Sequence, residues 1–382
     1  MSTTIKPIIL KDRQLDLFEG QYPIPDGITY NSYIVEDEKM TLLDTGDGHF
    51  EKEWIAEVKQ ICNDRKLDYL IISHIEPDHS GCIKELVEIY PNITLVGNEK
   101  TFTYLQQFYT IDDKVKKLVV KDGDKLTIGK HTFTFLFAPM VHWPEVMMTY
   151  EESEQVLFSA DAFGKFGITE TFGEAWTDEA RRYYINICGK YGMQVQKALT
   201  KITAPIKGIY PLHGPILTDD LSFYINKYNI WSKYEAERDG ILIAYASIHG
   251  NTARAVNILG ETLTSDHHQE VKICDLSRED LSEVVSQAFK YNKIILASST
   301  YDGGIFTPME DFLTRLKKKS FQNRKVGLIE NGTWAAQSGK LMISQLEQMK
   351  NINLCSTIVS IKSALKEGEE DKLQTLAKEI LQ

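Results

Sequence analysis

The chain has 382 residues, 42% of them hydrophobic and 25% charged, with a formal net charge of −11. Single cores stop growing at roughly 250–300 residues, so this length points to two domains. The acidic balance argues against nucleic acid as a partner, and no apolar run approaches the ~20 residues that cross a bilayer. The opening MSTTIKPIILKDRQ lacks the charged-then-apolar layout of a secretory leader. The five cysteines, Cys62, Cys82, Cys188, Cys274 and Cys355, are far apart and form no CxxC pair. That argues against a tetrathiolate iron site within the chain and against a disulfide framework, and points to a reducing, cytoplasmic compartment. Cys82 reads as a small buried apolar side chain.

In chain order, residues 28–35 and 40–43 read as strands, the second running into the turn Asp44-Thr45-Gly46. Phe50 to Arg65 carries apolar residues at Trp54, Ile55, Val58, Ile61 and Cys62, which is helical spacing. The apolar run Leu67 to Ile72 predicts a buried strand feeding SHIEPDHSG, Ser73 to Gly81. In that loop His74, Glu76, Asp78 and His79 can all bind metal, and so many imidazoles and carboxylates together call for a cation. A helix is expected over Ile83–Ile89, stopped before Pro91, and strand–helix–strand is the rhythm of an α/β layer fold.

Three later strands each end on a potential ligand: 133–141 at His142, 156–160 at Asp161 and 208–212 at His213. A lone strand-end His is more often structural, but three such residues beside the loop fit a metal site at the rim of a sheet. Trp143, Phe163, Phe166 and Tyr191 are candidates for the pocket wall, with core packing as the competing reading, and Lys165 reads as a solvated side chain rather than a proton donor.

After Trp231 the chain turns polar, and a new strand opens at Gly240. The boundary is placed at about residue 238, giving domains 1–238 and 239–382. The strand 241–246 runs into Ser247, His249, Gly250, Asn251 and Thr252, followed by a helix over 253–263. Strand, hydroxyl- and Gly-bearing loop and helix start make a phosphate site, in which free backbone N–H groups and the helix dipole converge on an anion. It is not GxxxxGK[ST], so a nucleoside triphosphate is not expected. A second strand end carries Ser299, Thr300, Tyr301, Asp302 and Gly303, and a third carries Asn331, Gly332, Thr333 and Trp334. Three such loops converge at the switch point of a doubly wound sheet, with Tyr301 and Trp334 offering flat faces to a ring system.

His74-x-Glu76-x-Asp78-His79, then His142, Asp161 and His213, resembles the metallo-β-lactamase-like domain of the flavodiiron proteins (A-type flavoproteins), and the last third resembles a short-chain flavodoxin with Ser299 where Pro is common. The resemblance implies an αββα sandwich followed by a flavodoxin-like doubly wound parallel sheet. It also implies two non-haem irons: one on His74, Glu76 and His142, the other on Asp78, His79 and His213, with Asp161 bridging. FMN would occupy the three loops, the first taking the phosphate. Hydrolytic zinc relatives have His where this chain has Glu76, and the added carboxylate suits iron.

The activity implied is reduction of O2 to water, NO to N2O, or both, the flavin refilling the irons. A separate electron donor such as a rubredoxin or a reduced deazaflavin is expected, because the sequence carries no four-cysteine module or GxGxxG domain. The family also implies a head-to-tail homodimer, alone or paired into a dimer of dimers. The alternatives are a zinc hydrolase with an appended flavodoxin, which Glu76 argues against, and an electron carrier with a vestigial metal site, which the full ligand set argues against.

Overall fold

The computed structural model describes residues 4–382; residues 1–3, where the expected first domain begins, lie outside the described residues. The chain forms two compact units, one reaching Asn229 and the other starting at Ile230.

The first unit contains two main sheets. One is six-stranded, in the order Ile5–Asp12, Ile28–Val35, Met40–Leu43, Leu67–Ile71, Thr94–Gly97 and Lys116–Val119. It is antiparallel over the first two pairings and parallel over the rest. The other is five-stranded, in the order Gly208–Tyr210, Val156–Phe158, Met147–Glu151, Thr132–Phe137 and Lys125–Thr127. Alternation along the strands gives each sheet an apolar face. Tyr33, Val35, Leu43, Ile71 and Val96 of the first pack with Phe133, Phe135, Met147, Val156 and Phe158 of the second in one buried core. Helix Glu51–Cys62 lies against strand Ile5–Asp12, and helix Gly192–Lys201 against strand Thr132–Phe137, which completes an αββα sandwich.

The helix expected from Phe50 to Arg65 spans Glu51–Cys62, with Trp54, Ile55, Val58 and Cys62 buried. It stops where Asn63 and Asp64 turn left-handed, at φ 45° and 63°. Local expectations need correction: the strands expected over 156–160 and 208–212 end at Phe158 and Tyr210. The strand expected over 133–141 ends at Phe137, because the next residues form a turn in which Val141 N–H bonds Ala138 O at 3.1 Å and Met140 has φ 67°. SHIEPDHSG is not all loop: Pro77–Ser80 form one helical turn, with Pro77 at its first position.

The second unit is built on five parallel strands ordered Val271–Asp275, Arg238–Ala246, Tyr291–Tyr301, Gln322–Asn331 and Lys350–Ile361. Numbered along the chain this is 2-1-3-4-5, the flavodoxin-like order, whose switch point lies between the first and third strands. The first crossover helix spans Asn251–Glu261 and continues as a π-helical turn over Thr262–Asp266. It buries Thr252, Ala255, Val256, Leu259 and Gly260.

The division after Asn229 falls inside helix Leu221–Ser232, earlier than residue 238, where the strand Arg238–Ala246 begins. Residues beyond 230 are tied to the second unit's own elements. Glu237 N–H bonds Lys290 O at 2.9 Å. The buried Arg324 guanidinium donates to Tyr234 O at 2.8 Å and Phe289 O at 2.7 Å. Among the described residues no helix is long and apolar enough to cross a membrane.

Candidate functional site

At the rim of the sandwich, strand ends deliver the candidate donors. His74 follows strand Leu67–Ile71, and its loop is pinned by the buried Asp44 carboxylate, which accepts Ser73 N–H at 2.7 Å and His74 N–H at 3.3 Å. The helical turn after it brings Asp78 and His79 to the same side. Asp161 follows strand Val156–Phe158, and His213 follows Gly208–Tyr210. Gly214 next to it has φ +79°, and a Cβ there would stand 2.7 Å from Lys165 Cγ, so this turn requires glycine.

All seven expected metal donors come together. His74, Glu76, His142 and Asp161 form one group, and Asp78, His79 and His213 the other, the donor atoms of each lying within 4.8 Å of one another. In the first group Glu76 Oε2 is 3.1 Å from His74 Nε2 and 3.0 Å from His142 Nε2. In the second, His79 Nε2 is 3.3 Å from Asp78 Oδ2 and 3.1 Å from His213 Nε2. Asp161 faces both: Oδ2 is 3.0 Å from His142 Nε2, and Oδ1 is 3.1 Å from His79 Nε2.

The electrostatics of this cluster conflict without a cation. Burial pushes the Asp78 carboxyl up to about 7, with the Glu76 and Asp161 charges adding to the effect. Burial also acts to raise Asp161, but His79 and His74 outweigh it and hold that carboxyl well below its usual range. Burial drives His213 down to about 4, whereas Asp161 and Glu76 overcome burial and bring His142 up to about 9. Both oxygens of buried Asp78 lack a hydrogen-bond partner in the protein. Converging imidazole nitrogens and unpartnered carboxylate oxygens are a donor set that fits metal ions.

The surroundings sort the other candidates. The Trp143 ring lies 5.2 Å from that of His74 and 6.2 Å from that of His142, at the edge of the cluster. Phe166 is packed 5.1 Å from Tyr183, whose ring lies 5.5 Å from that of His213. Phe163 instead stacks on Tyr228 at 4.1 Å, and Tyr191 ends a short 3-10 helix. The reading of Lys165 as solvated is corrected: it is 3% exposed, and its Nζ donates to Phe166 O at 2.8 Å and Thr169 O at 3.1 Å. Carbonyls replace its water, and burial lowers its pKa. Glu145, Asp44, Tyr30 and Tyr183 were not anticipated. The sequence signals for the first two are proximity alone: Glu145 stands three residues after His142, and Asp44 ends a strand next to the one carrying His74.

In the second unit a cleft of ~430 Å³ opens at the C-terminal ends of the parallel strands. Its walls are the three expected loops: Ser247, His249, Asn251 and Thr252 from the first, Ser299 to Gly303 from the second, and Asn331 to Trp334 from the third. Gly250 is not among the lining residues; it caps helix Asn251–Glu261 at φ 81°. Ile248, Ala335 and Ser363 line the cleft without having been expected. Thr252 Oγ1 is 3.1 Å from Ser299 Oγ and accepts Asn331 Nδ2 at 3.2 Å, which ties the three loops together. The cap residue Gly250 offers no side-chain acceptor, Ala253 N–H donates to Ser247 Oγ at 3.3 Å, and Asn251 and Thr252 at the helix start line the cleft. Those donors fit an anion, and the exposed rings of Tyr301 and Trp334 fit a flat ring system.

An αββα sandwich with a two-group metal-donor cluster, joined to a flavodoxin-like domain with a cleft at its switch point, defines the class of protein. Comparison with known sequences agrees: residues 28–214 match the ODP family beta lactamase and residues 242–358 a flavodoxin domain. The chain is 32% identical to a nitric oxide reductase of Moorella thermoacetica, over 85% of this chain and 83% of that protein. It is 30% identical to a rubredoxin-oxygen oxidoreductase of Megalodesulfovibrio gigas, over 95% of this chain and 92% of that protein. The solved structure of rubredoxin oxygen:oxidoreductase from Desulfovibrio gigas superposes with a TM-score of 0.91 at 28% identity, covering 99% of this chain and 96% of that one. The chain belongs to the flavodiiron family.

Proposed function

We propose that this chain is an oxidoreductase that reduces O2 to water, NO to N2O, or both, at a non-haem diiron site supplied with electrons by FMN. The observation that carries the reading is the Asp161 carboxylate, which turns one oxygen to each donor group across distances of 3.0 and 3.1 Å. His74, Glu76 and His142 would hold one iron, Asp78, His79 and His213 the other, and Asp161 both. The first, second and third loops of the second unit would hold the FMN phosphate and ring. When bound, the irons supply paired one-electron centres with open positions, and the flavin supplies a two-electron reserve.

The chain's own residues prepare the donors. His213 Nδ1 lies 2.7 Å from Thr29 O, and a proton held on Nδ1 leaves the Nε2 lone pair aimed into the cluster. Tyr30, whose ring is 6.5 Å from that of His79 and 5.9 Å from that of His213, closes the cluster from one side together with Phe18 and Tyr183. Such walls exclude bulk water and strengthen every charge interaction inside. Glu76 supports iron over a hydrolytic zinc pair, since it joins the donor set as a hard oxygen.

The partners proposed are a separate donor, such as a rubredoxin or a reduced deazaflavin, and a second copy in a head-to-tail dimer. The name of the Megalodesulfovibrio gigas relative supports a rubredoxin. A cytoplasmic location is proposed as well, supported by five buried cysteines, none in a disulfide. The test is metal and flavin analysis of anaerobically purified protein, followed by separate electrode measurements of O2 and NO consumption with a reduced donor. About two irons and one FMN per chain with gas consumption are expected, as a two-metal site requires. Stoichiometric zinc with thioester or lactam hydrolysis would overturn the proposal.

A further inference from the structure

The two donor groups are supported differently from behind. In the first, His74 Nδ1 lies 2.8 Å from Glu145 Oε1, and both side chains are fully buried. In the second, the acceptor behind His213 is a neutral carbonyl, Thr29 O at 2.7 Å, and His79 Nδ1 is buried with no hydrogen-bond partner. Charge behind the ring therefore distinguishes one group from the other.

Glu145 is held for this contact. Its Oε1 also accepts Ile75 N–H at 3.1 Å, so one oxygen grips both the ring and the main chain of the His74 loop. Its own main-chain carbonyl accepts Asn98 Nδ2 at 2.6 Å. Its other oxygen, Oε2, is buried with no hydrogen-bond partner. A carboxylate accepting the far N–H of an imidazole increases the basicity of the other nitrogen and fixes the ring's orientation. The stronger donor favours the more highly charged ion. A carbonyl does this less, and an absent acceptor not at all.

We infer that Glu145 is a positioning residue that makes the metal position of His74, Glu76 and His142 the tighter of the two, and the one that stays ferric when the pair is half reduced. This rests on the diiron reading above. Glu145 touches neither substrate nor metal; it acts through His74.

The test is Glu145→Gln, which keeps the shape and removes the charge, made in the full chain and loaded with iron anaerobically. Three properties are read: iron retained against a graded chelator, the mixed-valence electron paramagnetic resonance signal after addition of one electron per pair, and bound FMN. One of the two irons should be lost at roughly 10- to 100-fold less chelator than in the wild type, with FMN unchanged. The mixed-valence signal should shrink or change shape. Glu145→Asp, which restores the charge at longer reach, should recover part of both. Wild-type iron retention with an unchanged signal in Glu145→Gln overturns the inference. If Glu145→Gln does not fold, Glu145→Asp decides: weakened retention of one iron supports the inference, and wild-type retention assigns Glu145 to the fold alone and overturns it. A wild-type protein that takes up no iron pair sinks the diiron reading itself, a result distinct from any of these.

Discussion

The donor cluster of the first unit and the cleft of the second both lie at strand ends, yet they are built from opposite materials. In the cluster, charged and imidazole side chains do the holding, and His74, His79 and His213 are 0% exposed. In the cleft, hydroxyls, the amides of Asn251 and Asn331 and exposed rings line an open surface on which His249 and Asp302 are the imidazole and the carboxylate, with Trp334 94% exposed. The difference follows from what each would bind. A small cation needs a few strong donors at fixed angles in a low-dielectric site, so every donor carries a large share. A large ring with a phosphate tail spreads its interactions over many weak contacts, so each one carries little. Single substitutions should therefore be severe in the cluster and mild in the cleft.

Asp161→Asn gives the largest expected effect. The amide is nearly isosteric but loses the charge and one acceptor oxygen facing the two groups. Gas reduction and retention of the metal pair should both fall by more than roughly 100-fold, above the usual range for removing an outer partner. Fold and flavin content should stay, as circular dichroism and FMN absorbance would show. Normal turnover would break the comparison at its strongest point.

A second buried imidazole–carboxylate pair shows what such a contact does away from the cluster. His131 Nδ1 lies 2.9 Å from Glu151 Oε1, and its Nε2 lies 2.9 Å from Thr4 Oγ1. Asp37 accepts the His131 backbone N–H at 2.7 Å. The hydrogen bond to Glu151 raises the His131 pKa, and burial opposes it without prevailing. A raised folded pKa gives stability that is fully present below the unfolded value of ~6.5 and is lost as pH rises through the folded value. His131→Gln should therefore cost about 1–2 kcal/mol near pH 6 and clearly less at pH 9, read by urea unfolding with metal analysis alongside. Equal loss at both pH values would show that the pair is not charged, and loss of iron would show that its influence reaches the cluster.

The seven donors were legible because their chemistry is concentrated: four lie within SHIEPDHSG, and three lie after apolar strands. Their supports were not. Glu145 reaches His74 across 71 residues of sequence, a contact that neither periodicity nor spacing encodes. Lys165 misled for a related reason: an ammonium is solvated by default, and only the fold shows two carbonyls, of Phe166 and Thr169, in place of water. Alternating strand and helix patterns pointed to an α/β layer fold and, in the last third, a doubly wound sheet, whereas the αββα sandwich rested on the family resemblance. The turn that ends strand Thr132–Phe137 depends on the left-handed backbone of Met140, a conformation that residue type does not announce. In the cleft, the loops were legible through their position after strands. Ser363 was not, because it stands 30 residues beyond Thr333 in sequence and meets the third loop only in the fold, its carbonyl accepting Asn331 Nδ2 at 3.0 Å and its hydroxyl donating to Thr333 Oγ1 at 3.1 Å.

Trp334→Ala should have the smallest effect, and it tests the mild side of the comparison. Trp334 is 94% exposed, and its ring makes no buried contact that the fold would miss. Its removal should leave the unfolding midpoint of the flavin-free protein unchanged. A favourably placed aromatic pair contributes about 0.5–1.5 kcal/mol beyond area burial. FMN affinity should fall roughly two- to tenfold, measured by quenching of flavin fluorescence on titration. The remaining donors, Ser247, Thr252 and the N–H groups at the start of helix Asn251–Glu261, would still hold the phosphate end. A loss beyond 100-fold would mean that one exposed ring dominates the cleft as a single ligand dominates the cluster. No loss at all would place the ring system on Tyr301 alone, whose ring already lies 5.7 Å from that of Phe306.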